Sequence, residues 1–193
     1  MTKIPIKIVE LTSPSGKSAV DVMIDVYDYN EIENVQNKIK KFKKKYFELV
    51  KKAEQLFFGS NLNKTRSKNL TSSTCWKLGN LFQKFDSDIK NDFTITNYSV
   101  ALERDFGRSN RYIRELIIFS KLFKEKEIID SIPMAIYRAL VWKKNQLDEI
   151  GILEKEKKRL MKMGKDKKYP GREEYKIELI NAIKFEQSKS RGK

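Results

Sequence analysis

The feature that most constrains the fold of this chain is a run of apolar residues from Ile32 to Leu56. Ile32, Val35, Ile39, Phe42, Tyr46, Leu49, Ala53 and Leu56 follow one another at alternating spacings of three and four. Side chains at that spacing line one seam of an α-helix, whereas a strand would scatter them over both faces. The spacing predicts one long helix over residues 30–58, with Lys38, Lys40, Lys41, Lys43, Lys44 and Lys45 on its other faces. At a rise of about 1.5 Å per residue it spans about 40 Å, more than the short helices downstream can individually cover. Packing within the chain would satisfy the seam, and so would a second copy. The expectation is a homodimer through residues 32–56, antiparallel because a parallel pair would set like charges face to face.

The flanking segments read differently. "KIPIKIVEL" and "AVDVMIDVYDY" alternate and are rich in Ile and Val, which predicts a β-hairpin over residues 3–29 with "TSPSGKS" as its turn. "SGKS" has the letters of a phosphate-binding loop. The full signature needs a glycine five residues before Gly16, where Leu11 stands, so the stretch reads as a Pro/Gly turn. Beyond the long helix, "GSNLNKTRSKNLTSS" is polar and predicts a linker at 59–72. A series of helical patterns follows. One places Trp76, Leu78, Leu81, Phe82 and Phe85 on a broad stripe, and a short one ends at Gly107. A longer one runs over 109–128, and another opens at Ser131 with Pro133 in its first turn. Residues 151–193 form a basic helical segment, with a turn at "KKYPGREEY", a last helix burying Tyr175, Leu179, Ala182 and Ile183, and a frayed "SKSRGK" tail. The expected fold is mainly α: an N-terminal β-hairpin plus a long coiled-coil-like helix over 1–58, the linker, a helical domain over 73–150, and the basic segment.

Composition narrows the chemistry. Lys and Arg number 41 against 26 Asp and Glu, a net charge of +15, which suits a nucleic acid, an anionic membrane or an acidic protein as partner. There is no histidine and one cysteine, Cys75. Zinc sites built from Cys and His are therefore excluded, as are Ser-His and Cys-His nucleophile pairs. Any catalysis would rest on carboxylates and lysines. "EYK" at 174–176 and "EKEKK" at 154–158 have letters of a metal-dependent nuclease, but both fall in helical patterns where strands are required. No catalytic residue, metal or cofactor is expected. A single cysteine allows no internal disulfide, and with no signal peptide this points to the cytoplasm and association with the nucleoid. "ELIIFSKLF", the most apolar stretch, falls short of the roughly 18 residues of a spanning helix, so no membrane partner is expected. Trp76 and Trp142 each sit in an apolar helical pattern and are expected in the core, with Cys75 buried beside Trp76.

The segment "FGRSNRYIREL", residues 106–116, carries the functional reading. A helix-turn-helix needs an apolar residue before the turn, a residue with left-handed backbone in it, and inward apolar residues three to four apart after it. Val100, Leu102 and Phe106 precede Gly107, and Ile113, Leu116 and Ile117 follow. Ser109 is the expected N-cap. Ser109, Asn110, Arg111 and Arg114 lie at the start of the second helix, away from the Ile113/Leu116 face, where recognition helices meet base edges. Arg104 and Arg108 flank the turn as candidate phosphate contacts, and Lys121, Lys41, Lys44, Lys157 and Lys158 are further candidates from the basic helices.

With these residues in view, "YSVALERDFGRSNRYIRELIIFSKLFKEKEIIDSIPMAIYRAL", residues 98–141, resembles the helix-turn-helix region of ParB/KorB-type partition proteins. That family has a turn ending in a small residue and a serine, then "Y-I/V-R/x-x-L", a short acidic stretch, and a helix opening "S-x-x-x-A-R-A-L". Here the last element reads "SIPMAIYRAL". The same stretch also resembles the helical region preceding the nuclease domain of some restriction-like proteins. Two departures stand out. Glu103 occupies the position usually held by alanine, so either it swings outward or the helices cross more widely. No ParB nucleotide-binding motif lies upstream. The resemblance implies double-stranded DNA binding by this region, without CTP hydrolysis or partition. The expected function is sequence-preferring DNA binding, as a transcriptional regulator or a plasmid, viral or chromosome-organising factor. The alternatives are a restriction-like nuclease or its accessory subunit, and a basic RNA- or ribosome-binding protein.

Overall fold

The computed structural model describes residues 5–13, 16–25, 32–58, 70–92, 95–96 and 98–191. The protein is mainly helical, with an N-terminal antiparallel hairpin, a long helix and then further helices. Strands β1 (Pro5–Leu11) and β2 (Val20–Asp25) pair antiparallel, Leu11 opposite Val20 and Val9 opposite Val22. A third strand, β3 (Ile95–Thr96), adds to the free edge of β2 and was not anticipated. Helices α1 (Ile32–Phe58), α2 (Ser72–Asp92), α3 (Tyr98–Phe106), α4 (Asn110–Leu122), α5 (Met134–Glu149), α6 (Leu153–Lys165) and α7 (Arg172–Arg191) complete the described residues. None of these helices is long and apolar enough to cross a membrane.

The chain divides into two compact units: residues 1–67 with 80–114, and residues 68–79 with 115–193. This departs from the expected division at the polar stretch, of which 59–69 lie outside the described residues and Ser72 already opens α2. The physical reason is the seam of α1. Phe42, Tyr46, Leu49 and Ala53 are buried within the first unit. Phe85 of α2 packs on Phe42 and Tyr46 at ring separations of 6.3 and 6.1 Å, and Phe106 of α3 stacks on Phe57 at 5.5 Å. The middle of the seam, Phe42 to Ala53, is thus buried within the unit, while Ile39 and Leu56 of the seam are half-buried. The expected start of the seam, Ile32 and Val35, has no described side-chain environment.

In the second unit, Phe119 of α4 and Tyr137 of α5 meet at 5.0 Å, and Phe123 closes the cluster at 5.2 Å from Tyr137. Tyr175, Leu179 and Ile183 of α7 are buried as their spacing predicts, and Ala182 is half-buried. Several boundaries differ from expectation. The long helix over 109–128 stops at Leu122, and a 3-10 turn, Glu125–Glu127, follows. Pro133 is the residue before α5 and not part of its first turn, which suits its extended backbone. The tail expected to fray is helical through Arg191. Within this unit α2 crosses α4 at Gly79. A Cβ built on Gly79 would overlap the Leu116 carbonyl and lie 3.1 Å from Ser120 Cβ, so only glycine lets the two backbones approach.

Candidate nucleic-acid interface

Helices α3 and α4 are joined by the three-residue turn Gly107, Arg108 and Ser109. Gly107 has φ of 54°, the left-handed backbone that the turn requires. Its N–H donates to the Glu103 carbonyl at 2.8 Å and closes α3. Ser109 then caps α4 as its sequence position predicts: its Oγ accepts the Tyr112 N–H at 3.3 Å, and its carbonyl accepts that of Ile113 at 3.1 Å. Ala101, Leu102, Phe106, Ile113 and Leu116 are buried, whereas Val100 is exposed and Ile117 half-buried.

Glu103 resolves the question its position raised. The side chain is exposed and turns to the start of α4, where its carboxylate accepts the Asn110 N–H. A carboxylate there complements the positive end of the helix dipole. It also takes the place where another anion would otherwise sit at that helix end.

Of the four residues expected to meet base edges, Arg111 and Arg114 are exposed, Asn110 is half-buried, and Ser109 is exposed with its hydroxyl committed to the cap. Arg108 lies over the Tyr112 ring, 5.5 Å from its centroid. Lys41, Lys44, Lys121 and Lys158 are exposed. Lys121 and Lys158 belong to the second unit, the arginines of the turn to the first.

Two expected phosphate contacts are corrected. Arg104 is a structural residue. Its guanidinium pairs with Asp105 at 2.8 Å and donates to the carbonyls of Leu11 and Ser18, at 2.5 and 2.9 Å, so each of its nitrogens already holds a partner. Lys157 is buried, pairs with Glu154 at 2.9 Å and lies over Phe123 at 5.5 Å. In both cases the acid stands nearby in the sequence, but the burial that holds the pair together does not show in the local pattern.

Arg104 belongs to a network that sequence reasoning missed. Asp105 is buried and accepts hydrogen bonds from Ser13 Oγ at 2.6 Å, from the Tyr46 hydroxyl and from Arg104. Burial pushes the carboxyl toward its neutral form, but the bonds from Arg104, Ser13 and Tyr46 outweigh it, so its pKa lies below the usual aspartate value. Burial and the neighbouring carboxylate hold Tyr46 well above the ordinary tyrosine range. Lys17, from the "SGKS" turn, donates to the Arg104 and Asp105 carbonyls at 2.7 Å each. The lysine that gave that turn its phosphate-loop look thus ties the hairpin to the end of α3.

Trp76 is half-buried and donates its indole N–H to the Phe123 carbonyl at 2.7 Å, and Cys75 is buried beside it as expected. Trp142 is not in the core. It is 58% exposed on α5, with Lys143 Nζ 4.6 Å and Lys176 Nζ 5.9 Å from its ring. The signal that could have found it is "WKK", an aromatic followed by adjacent cations. "EYK" and "EKEKK" both lie on helices, α7 and α6. Among the described residues no group of His, Cys, Asp and Glu could hold a metal ion. No family model matches the chain, and no curated protein or solved structure matches it.

Proposed function

We propose that this protein binds double-stranded DNA without catalysis and reads sequence through the first turns of α4, in the manner of a transcriptional regulator or a plasmid, viral or chromosome-organising factor. The observation that carries the reading is the left-handed turn at Gly107, followed by a capped helix that buries Ile113 and Leu116 while leaving Arg111 and Arg114 exposed. Arginine grips guanine bidentately in the major groove, and a helix presents such side chains from its N-terminal end. Arg108 beside the turn, with Lys41 and Lys44 of α1 and Lys158 of α6, supplies candidate phosphate contacts, and the net charge of +15 favours association with a polyanion.

The test is selection of bound duplexes from a random pool at two salt concentrations. A sequence preference is expected, with affinity falling steeply as salt rises. Arg111→Ala and Arg114→Ala should each lose about 1–3 kcal/mol of discrimination, whereas Lys158→Ala should weaken all duplexes alike. If both arginine variants bind the selected sites as wild type does, α4 is not a recognition helix. Structured RNA that outcompetes every duplex would favour the RNA-binding alternative instead.

A further inference from the structure

The second unit holds a groove of about 760 Å³, within the range of small-molecule sites. Its apolar floor comes from Trp76, Ile118, Leu122 and Phe123, and Trp76 is fixed in place by its bond to the Phe123 carbonyl. Three lysines from separate segments converge on it: Lys121 of α4, Lys124 before the 3-10 turn, and Lys144 of α5. None of the three side chains has a carboxylate partner among the described residues. The fourth lysine of the wall, Lys157, is neutralised by Glu154. Glu127 accepts the Lys124 backbone N–H at 2.7 Å, while Glu125 is exposed on the same turn.

An apolar floor that presents the half-buried indole of Trp76 calls for a flat, ring-bearing group. Unpaired lysines call for an anion, and a lysine is a point-charge ligand for phosphate. The carboxylate of Glu125 calls for hydroxyl or amino donors, and it disfavours a simple fatty acid, which would bring negative charge and no donor. A nucleotide meets all three demands at once. We infer that this groove binds a nucleoside phosphate, the base against Trp76 and Ile118, the phosphate among Lys121, Lys124 and Lys144, and hydroxyl or amino groups toward Glu125. The inference is independent of the reading of α4 as a recognition helix.

Because the chain has only two tryptophans, Trp142→Phe leaves Trp76 as the sole indole reporter, and exposed Trp142 tolerates the change. The full-length variant would be titrated with adenosine and guanosine monophosphates, with adenosine alone, with inorganic phosphate and with a short duplex. A saturable change in Trp76 emission is expected with the mononucleotides and a much weaker one with either half. Lys121→Gln combined with Lys144→Gln should weaken mononucleotide binding by at least about tenfold, as loss of charge-assisted hydrogen bonds implies, with the circular dichroism unchanged. No saturable response up to millimolar nucleotide overturns the inference. So does undiminished binding by the double variant, or a response to duplex alone, which would assign these lysines to the DNA backbone.

Discussion

Two buried tyrosines, Tyr46 in the first unit and Tyr175 in the second, meet the cost of a buried hydroxyl in opposite ways. In the first, a charged carboxylate, Asp105, is surrounded by donors from three elements: Ser13 after β1, Tyr46 of α1 and Arg104 of α3. In the second, Tyr175 is as deeply buried as Tyr46, yet its hydroxyl has no hydrogen-bond partner among the described residues. Burial pushes both phenols above the ordinary tyrosine range. A buried charge held by three partners makes the Asp105 site depend on each of them, whereas the Tyr175 hydroxyl offers its surroundings no hydrogen bond in return for its burial. The comparison teaches that equal burial does not mean equal contribution: a polar group stabilises only as far as its partners repay desolvation.

The sharpest way to break this contrast is Asp105→Ala. It leaves Arg104 buried without its anion and strips the Ser13 and Tyr46 hydroxyls of their acceptor, so a loss of about 3–5 kcal/mol is expected, read by urea denaturation. Next comes Gly79→Ala in the second unit, where shape and not charge is at stake. The added methyl meets backbone, which cannot swing away, and the expected cost is about 3 kcal/mol, the upper end for overpacking. The preference of helices for alanine does not offset it. If Gly79→Ala is neutral, α2 and α4 do not cross as closely as described.

Acid unfolding sharpens the comparison further. The folded-state pKa of Asp105 lies below its unfolded value. The unfolded chain therefore binds the proton first, and the contribution of Asp105 is fully present above the ordinary aspartate pKa and is lost as pH falls through that value toward the lower folded one. Asp105→Asn should flatten the stability profile across that acidic window and leave its shape near neutrality unchanged. A wild-type profile with no slope attributable to Asp105 would mean that its partners do not hold in solution.

The smallest effects come from the tyrosine pair. Tyr46→Phe should cost about 1–3 kcal/mol, since Asp105 loses a donor where water cannot replace it. Tyr175→Phe should leave stability unchanged or raise it by up to about 1 kcal/mol, because it removes a desolvated hydroxyl that gains nothing. Equal losses in the two variants would erase the distinction between the units.

A local period or a single backbone requirement can be read directly from the order of residues. The 3-4 spacing set α1 and the buried identity of Phe42, Tyr46, Leu49 and Ala53. The glycine and serine of "FGRSN" set a left-handed turn and a cap, and the spacing after them set which face of α4 would be buried. The tertiary structure alone decided what meets each face. Periodicity states that a side chain leaves water; it does not state which partner receives it, because that partner lies tens of residues away. Hence Phe42 of the α1 seam packs on Phe85, Phe57 beside it stacks on Phe106, and Arg104 donates to the carbonyls of Leu11 and Ser18 in the hairpin. Trp142 escaped for the converse reason. It sits in an apolar run on α5, yet it remains exposed while Tyr137 and Leu140 of the same helix are buried. Strand β3 is two residues long, too short for any alternation to register, and exists only because β2 offers it an edge.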